Sequence, residues 1–155
     1  MRTAKHMPTS SAFVGASWTS LLLGILGFMV GLWNAPTLVL SEKGFYFAVL
    51  VLGLYSAISL QKAVRDRLEG VAVTHLYYAI SWTALSIALL LLVAGLWNAQ
   101  LTLAEKGFYG MAFALSLFAS ITVQKNVRDR DAWVEPAAPA LADSSIDKHS
   151  DKHLG

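Results

Sequence analysis

The sequence contains no cysteine, and only 14% of its 155 residues are charged. Without cysteine the chain cannot form a disulfide, a thiolate nucleophile, a zinc–thiolate site or an iron–sulfur cluster. Soluble domains carry about 25% charged residues. Here hydrophobic residues reach 55% of the chain, and the mean hydropathy is +0.53. This composition indicates a membrane protein rather than a soluble domain.

Long apolar runs without Asp, Glu, Lys or Arg occur four times, at Ala12–Trp33, Gly44–Leu60, Leu76–Trp97 and Gly107–Val123. Each run is long enough to cross the roughly 30 Å hydrocarbon core as a helix. The polar groups inside these runs are mainly hydroxyls, and the absence of an intramembrane acid, base or histidine argues against a proton-coupled pump. We therefore predict an all-α polytopic membrane protein with four transmembrane helices.

One pattern is written twice along the chain: SW, an apolar run, GLWNA, a short gap, EKGFY, a second apolar run, then QK.VRDR. The copies align at an offset of 64 residues before the gap and 63 after it, because the second loop is one residue shorter. The prediction is two tandem two-helix hairpins related as parallel repeats. The expected organisation is an N-terminal tail over 1–11, a hairpin over 12–67, a linker over 68–75, a second hairpin over 76–130 and a disordered tail over 131–155.

Basic residues are distributed unevenly over the predicted loops. Of the 12 Lys and Arg residues, only Lys43 and Lys106 lie in the loops within the hairpins, and ten lie in the tails or after the second and fourth runs. Cytoplasmic loops of membrane proteins carry an excess of Lys and Arg. Both termini and the central linker are therefore expected on the cytoplasmic side.

The repeated pattern of SW, GLWN, EKGFY and QK.VRDR resembles the YiaA/YiaB family of bacterial inner-membrane proteins in its duplicated form. This resemblance covers both copies. It implies a multi-pass protein of the bacterial inner membrane. It implies no catalytic activity, ligand or cofactor, so it transfers no active site to this chain.

The loop motif of each copy places Trp, Asn, Glu and Lys at matching positions: Trp33, Asn34, Glu42 and Lys43, then Trp97, Asn98, Glu105 and Lys106. We expect Trp at headgroup level, Asn at the helix end, Glu in the first turn of the returning helix and Lys snorkelling. Thr102 with Glu105 fits a capping box, Ser41 is expected to cap the first copy, and Tyr46 and Tyr109 to complete an aromatic belt. Besides this anchoring role, the alternative is a single external polar opening formed by the Glu–Lys pairs and Asn residues of both copies.

Six basic residues that follow the second and fourth runs are candidate contacts for anionic lipid or for a protein partner: Lys62, Arg65, Arg67, Lys125, Arg128 and Arg130. Their stretches are expected to extend the helices beyond the bilayer, with Lys62–Asp66 and Lys125–Asp129 as i,i+4 ion pairs. A basic residue near an anionic leaflet contributes roughly 1 kcal/mol. The simpler role is to set topology, and the sequence does not separate lipid from partner.

Small residues are spaced for close helix packing at Gly27, Gly31, Gly53, Ala57, Ala112, Ser116 and Ser120. Such rows let helices approach closely in a membrane. Packing within the bundle is the first interpretation, and a homo-oligomer interface or a hydroxyl-lined path are alternatives. Gly24 and Gly27 have Ala88 and Leu91 as their counterparts. This difference predicts that the copies diverge there in their lipid or partner faces.

No nucleotide-binding loop, catalytic triad, metal-ligand set or nucleic-acid-binding stripe occurs in the sequence. His149 and His153 share an i,i+4 spacing in the C-terminal tail, which is a weak metal signal. We expect a non-catalytic protein without cofactors that acts as a structural, lipid-organising or partner-binding component of the membrane. The alternative is a small channel or facilitator with a hydroxyl-lined path.

Overall fold

The computed structural model describes residues 10–134, with side chains over 10–129. This part of the chain forms α1 (Ser11–Asn34), α2 (Leu40–Leu68), α3 (His75–Asn98) and α4 (Leu103–Val134). All four helices are long and apolar enough to cross a membrane. The predicted all-α polytopic fold is thereby confirmed. The N-terminal tail to residue 9, and the C-terminal tail from residue 135 with His149 and His153, lie outside the described residues.

The second helix of each hairpin continues well beyond its apolar run. Helix α2 ends at Leu68 and α4 at Val134, so the basic stretches QK.VRDR are helical in both copies. The eight residues that follow Leu60 in α2 extend the helix by about 12 Å. We call this end of the bundle, with residues 61–74 and 124–129, the basic end. The opposite end, with the turns over 35–39 and 99–102, is the hairpin-loop end.

Helices of the same hairpin are not each other's main packing partners. Helix α1 packs chiefly against α4, and α3 packs chiefly against α2, while α2 and α4 contact each other in the middle. Helices α1 and α2 touch only slightly, as do α3 and α4. The central α2 and α4 are 44% buried over their spans, whereas α1 and α3 are only 17% buried. The two repeats are therefore intertwined, with the first helix of each held by the second helix of the other.

The centre of the bundle near the hairpin-loop end is filled by aromatic rings. Tyr46 and Tyr109 occupy equivalent positions in the two copies, and their rings stack with centroids 6.3 Å apart at 12°. Phe28 packs edge-on against Tyr109 at 5.5 Å. Because the stacked tyrosines are 3% and 4% exposed, the expectation that they belong to an interfacial belt was wrong. Their position nearly two turns into α2 and α4 directs them to the neighbouring helix instead of the lipid.

Large apolar side chains cover the outside of the bundle. Leu23, Leu26, Val30, Leu90 and Val93 are more than half exposed along α1 and α3. Trp33 and Trp97, the last residues but one of these helices, have 81% and 83% of their surface exposed. Exposed apolar surface of this extent is the expected exterior of a protein surrounded by lipid tails.

Several of the predicted small residues lie where two helices approach closely. A Cβ atom added at Gly31 would lie 2.7 Å from a ring carbon of Phe108, and one at Gly53 would lie 2.5 Å from a ring carbon of Phe113. Ala57, Ala112, Ser116 and Ser120 are buried. Gly27 is in ordinary contact range, 3.8 Å from Phe108. Sequence reasoning missed Gly95, which lies against Phe45 as Gly31 lies against Phe108.

Gly24 does not lie on a lipid or partner face, so that prediction was wrong. It is buried, and a Cβ atom there would lie 2.5 Å from the hydroxyl and 2.9 Å from the backbone nitrogen of Ser116. The backbone of α4 cannot move aside as the end of a flexible side chain can. Gly24 is therefore a point of closest approach between α1 and α4.

Replacing Gly24 by Ala should destabilise the bundle by about 1–3 kcal/mol, because the methyl group has no room against Ser116. The matched control is Gly27→Ala on the same helix, where only a 3.8 Å contact is made. Since Ala favours a helix over Gly by up to about 1 kcal/mol, the control should be neutral or stabilising. Equilibrium unfolding in mixed micelles measures both variants, and equal effects would contradict the packing described above.

Candidate functional site

Helices α1 and α3 end at the two asparagines that the sequence assigns to their ends. The side-chain amide of Asn34 donates to the Val30 carbonyl at 2.8 Å, and that of Asn98 donates to the Ala94 carbonyl at 2.8 Å. Each amide nitrogen thus turns back onto its own helix. The amide oxygens accept no hydrogen bond from the described residues.

The two loop lysines close their own hairpins. Lys43 Nζ donates to the carbonyl of Trp33 at 2.9 Å, and Lys106 Nζ donates to the carbonyl of Trp97 at 3.3 Å. A cation at a helix C-terminus interacts favourably with the helix dipole and with the free carbonyls there. Sequence reasoning predicted snorkelling but missed this acceptor. The signal for it is the nearly constant spacing between GLW and EK in the two copies.

The loop glutamates lie in the first turns of α2 and α4. Glu105 forms a reciprocal capping box with Thr102: its carboxylate accepts from the Thr102 backbone at 2.7 Å, and Thr102 Oγ1 accepts from the Glu105 backbone at 3.3 Å. Glu42 makes only half of this arrangement, accepting from the Val39 backbone at 2.9 Å, because valine has no side-chain acceptor. Ser41 lies inside α2 and does not cap it, so that expectation was wrong.

Two equivalent clefts lie between the repeats at the hairpin-loop end. The Glu42 cleft, of about 270 Å³, is lined by Ser41, Glu42, Phe45, Tyr46, Gly95, Asn98 and Ala99. The Glu105 cleft, of about 380 Å³, is lined by Ala104, Glu105, Phe108, Tyr109, Gly31, Asn34 and Ala35. The seven positions of one cleft are the repeat equivalents of the seven of the other. Each cleft therefore combines the Glu of one repeat with the Asn of the other.

The loop-motif residues are thus distributed over separate places. The two glutamates face different clefts, and the stacked rings of Tyr46 and Tyr109 stand between these clefts. Lys43 and Lys106 each donate to a carbonyl near the end of the first helix of their own hairpin. The geometry brings together one Glu and one Asn per cleft, and it does not bring the two Glu–Lys pairs into one group.

Five of the six buried serines in the described residues donate hydrogen bonds to carbonyls of their own helices. Ser56 donates to Leu52 at 2.7 Å and Ser116 donates to Ala112 at 2.7 Å. Ser17, Ser81 and Ser120 make the same kind of bond. A hydroxyl satisfied in this way can lie at a helix contact without a water or ion partner.

The basic end is organised around Glu69, in the linker after α2. Arg65 Nε donates to its carboxylate at 2.8 Å, and the guanidinium of Arg128 donates to both carboxylate oxygens at 2.7 Å. Gly70, with φ 76°, completes a Schellman turn in which the Val71 backbone donates to the Asp66 carbonyl. This turn places Glu69 between two arginines that are repeat equivalents.

The hydrogen bond from Arg65, followed by that from Arg128, lowers the pKa of Glu69 below its ordinary value. The carboxylate is exposed, so solvent screens much of this interaction. The expected i,i+4 ion pairs Lys62–Asp66 and Lys125–Asp129 do not occur among the described residues, so that prediction was wrong. Sequence reasoning missed Glu69 because its partner Arg128 is 59 residues away.

The other candidate basic residues have different surroundings. The Arg67 guanidinium lies over the ring of Tyr78, 4.5 Å from its centroid, and so joins α2 to α3. Lys62 and Lys125 are exposed at equivalent positions on α2 and α4. The side chain of Arg130 lies outside the described part of the chain.

Three buried acceptors near the basic end have no hydrogen-bond donor within residues 10–129, whose side chains the structure describes: Gln61 Oε1, Gln124 Oε1 and Asn126 Oδ1. Asn126 is 1% exposed, and its amide donates to Ser17 Oγ at 3.0 Å. Sequence reasoning missed this residue, although a signal exists, since Asn126 stands where the first copy has Ala63. In the described part of the chain, no group of three or more His, Cys, Asp or Glu residues is placed to hold a metal ion.

Known proteins share the repeated unit. A family model described as the yiaA/B two helix domain matches the chain twice, over residues 13–66 and 77–129. The chain is 57% identical over 120 residues to the inner membrane protein YiaA of Escherichia coli (strain K12), covering 77% of this chain and 82% of that protein. It is 41% identical over 58 residues to the uncharacterized membrane protein YubF of Bacillus subtilis (strain 168), covering 37% of this chain and 67% of that protein. No solved structure matches the chain significantly.

Replacing Val39 by Thr should complete the capping box that Glu42 makes by half, and stabilise the protein by about 0.5–1 kcal/mol. The matched control is Val39→Ala, which shortens the side chain without adding an acceptor. The opposite change in the second copy, Thr102→Val, should lower the free energy of unfolding by a similar amount. Unfolding in mixed micelles measures all three, and a Val39→Thr protein no more stable than Val39→Ala would contradict the capping role.

Replacing Glu69 by Gln should lower thermal stability in detergent at neutral pH, because Arg65 and Arg128 lose their shared carboxylate. The pKa of Glu69 is lower in the folded than in the unfolded protein, so its contribution is complete above the ordinary carboxyl pKa of about 4. The contribution is lost as the pH falls through the lower folded-state pKa.

The difference between the wild-type and Glu69→Gln melting temperatures should therefore shrink toward zero on acidification. Asp66→Asn is the control, because Asp66 is on the same turn and forms no ion pair in the described residues. A difference that stays constant with pH would show that the substitution acts by some other route.

Proposed function

The chain belongs to the YiaA/B family of inner-membrane proteins with a two-helix domain, and from this premise we propose that it organises lipid without catalysing a reaction. In this proposal its basic end lies on the cytoplasmic side and binds anionic phospholipid. The family and the four apolar helices support the membrane location. The excess of ten Lys and Arg residues in the tails and at the basic end, against two at the hairpin-loop end, supports the orientation.

The observation that carries the proposal is the pair of exposed lysines, Lys62 and Lys125. They occupy equivalent positions on the two central helices, and neither forms an ion pair in the described part of the chain. Arg65 and Arg128, by contrast, form ion pairs with Glu69 and so join α2 and the linker to α4. Two symmetric cations on rigid helices at the edge of the apolar surface suit a negatively charged leaflet.

The non-catalytic part of the proposal is supported by how the loop residues separate. The titratable side chains that a membrane enzyme would use are Glu42, Lys43 and their repeat equivalents. Glu42 faces the opposite repeat, while Lys43 binds a carbonyl of its own hairpin. An acid–base reaction needs such groups within hydrogen-bond reach of one substrate.

A channel or facilitator has less support. The stacked Tyr46 and Tyr109 fill the middle of the bundle near the hairpin-loop end. Five of the six buried serines in the described residues, which would line a path, donate to carbonyls of their own helices. A protein partner at the basic end and a homo-oligomer both stay predictions.

Replacing Lys62 and Lys125 together by Gln should weaken binding of phosphatidylglycerol about 10- to 30-fold, since each basic residue near an anionic leaflet contributes roughly 1 kcal/mol. Native mass spectrometry or lipid titration in detergent measures the change, which should diminish at high salt. The matched control is Lys43→Gln with Lys106→Gln, which removes the same charge at the other end. Equal weakening by both pairs would contradict a site at the basic end.

A further inference from the structure

We propose that the Glu42 cleft and the Glu105 cleft each bind a primary ammonium group, supplied by the headgroup of a zwitterionic phospholipid. These clefts lie at the opposite end of the bundle from Lys62 and Lys125. The inference therefore goes beyond the proposed anionic-lipid site and does not depend on it. Four features support it: the charge of the clefts, their hydrogen-bond acceptors, their aromatic walls and their level in the membrane.

The charge of each cleft is negative and has no cation to balance it among the lining residues. Glu42 lines its cleft, whereas the adjacent Lys43 is turned to the Trp33 carbonyl in its own hairpin. Glu105 and Lys106 divide in the same way. Each cleft also lies between the N-terminus of one helix and the C-terminus of another, so the two helix dipoles oppose each other. The carboxylate thus sets the charge of the site.

The acceptors and rings of the clefts match an ammonium group. Glu42 uses Oε2 to accept from Val39, and its Oε1 accepts no hydrogen bond from the described residues. Asn98 lines the same cleft and donates its amide nitrogen to the Ala94 carbonyl, and its Oδ1 accepts no hydrogen bond from the described residues. An ammonium group offers three donors and no acceptor. Phe45 and Tyr46 form the adjacent wall, and aromatic faces attract cations within about 6 Å.

The level of the clefts in the membrane favours a lipid headgroup over a free amine. The exposed Trp33 and Trp97 mark the headgroup level, and Asn34 and Asn98, which follow them directly, line the clefts. Leu40 and Leu103, at the starts of α2 and α4, are 84% and 86% exposed and offer apolar surface nearby for acyl chains. The volumes of about 270 and 380 Å³ lie near the lower limit of ligand pockets, which suits a headgroup.

The test is native mass spectrometry of the full-length protein from micelles supplied with phosphatidylethanolamine or phosphatidylglycerol of the same acyl chains. The wild type should retain two phosphatidylethanolamine molecules, and a protein with Lys62→Gln and Lys125→Gln, which lacks the proposed anionic-lipid site, should retain them in preference to phosphatidylglycerol. Glu42→Gln and Glu105→Gln should each retain one, and the double variant none, with affinity at each altered cleft falling roughly 10- to 100-fold. Glutamine keeps an acceptor for the capping hydrogen bond, so folding should persist, which circular dichroism checks.

Glu69→Gln, at the basic end, is the matched control and should still retain two molecules. Equal retention of both lipids by the protein with Lys62→Gln and Lys125→Gln, or unchanged retention of phosphatidylethanolamine by the protein with Glu42→Gln and Glu105→Gln, would overturn the proposal. Titration with O-phosphoethanolamine separates the sources of the ammonium group. Saturable binding of this soluble amine without retention of phosphatidylethanolamine would overturn the lipid as the source.

Discussion

The close approach of helices across the two repeats is the constraint on which the rest of the structure depends. Lipid tails are as apolar as leucine, so transmembrane helices associate through contact and hydrogen bonds rather than through the hydrophobic effect. Gly24 lets α1 reach the backbone of α4, and Gly31 and Gly95 make room for aromatic rings of the facing helix. The clefts are built around these two glycines. Any ligand chemistry at that end is therefore a consequence of packing.

The two repeats are equivalent where the ends are formed and unequal where the core is packed. Phe113 replaces the leucine found at Leu50, and this larger ring lies over Gly53, where the other copy has Ser116. At the α2–α4 contact, the larger Phe113 of the second copy therefore faces the smaller Gly53 of the first, as tight packing requires. Glu69 is a second inequality, because one carboxylate serves two equivalent arginines.

The sequence predicts the spans, the repeat and the helix ends, because these depend on local hydropathy and on turn residues such as Asn34 and Asn98. It does not predict which helices pair, because small residues mark a close contact without naming the partner. Gly24 was misplaced for this reason, since a difference between copies suggested an outer face. Glu69 was missed because its contact joins segments far apart in the chain. The clefts likewise combine residues from both repeats, and no local pattern shows that combination.

Because α1 packs chiefly on α4, its main partner is the last of the four described helices to be synthesised. The end of α4 follows the end of α1 by 100 residues, from Asn34 to Val134. At roughly 5–20 residues per second, α1 waits about 5–20 s in the membrane with its glycine face open to lipid. Helix α3, in contrast, meets α2 as soon as it inserts. The two repeats are nearly symmetric in the folded protein, but their first helices meet their partners at different times. If synthesis stops before α4, α1 has no main packing partner.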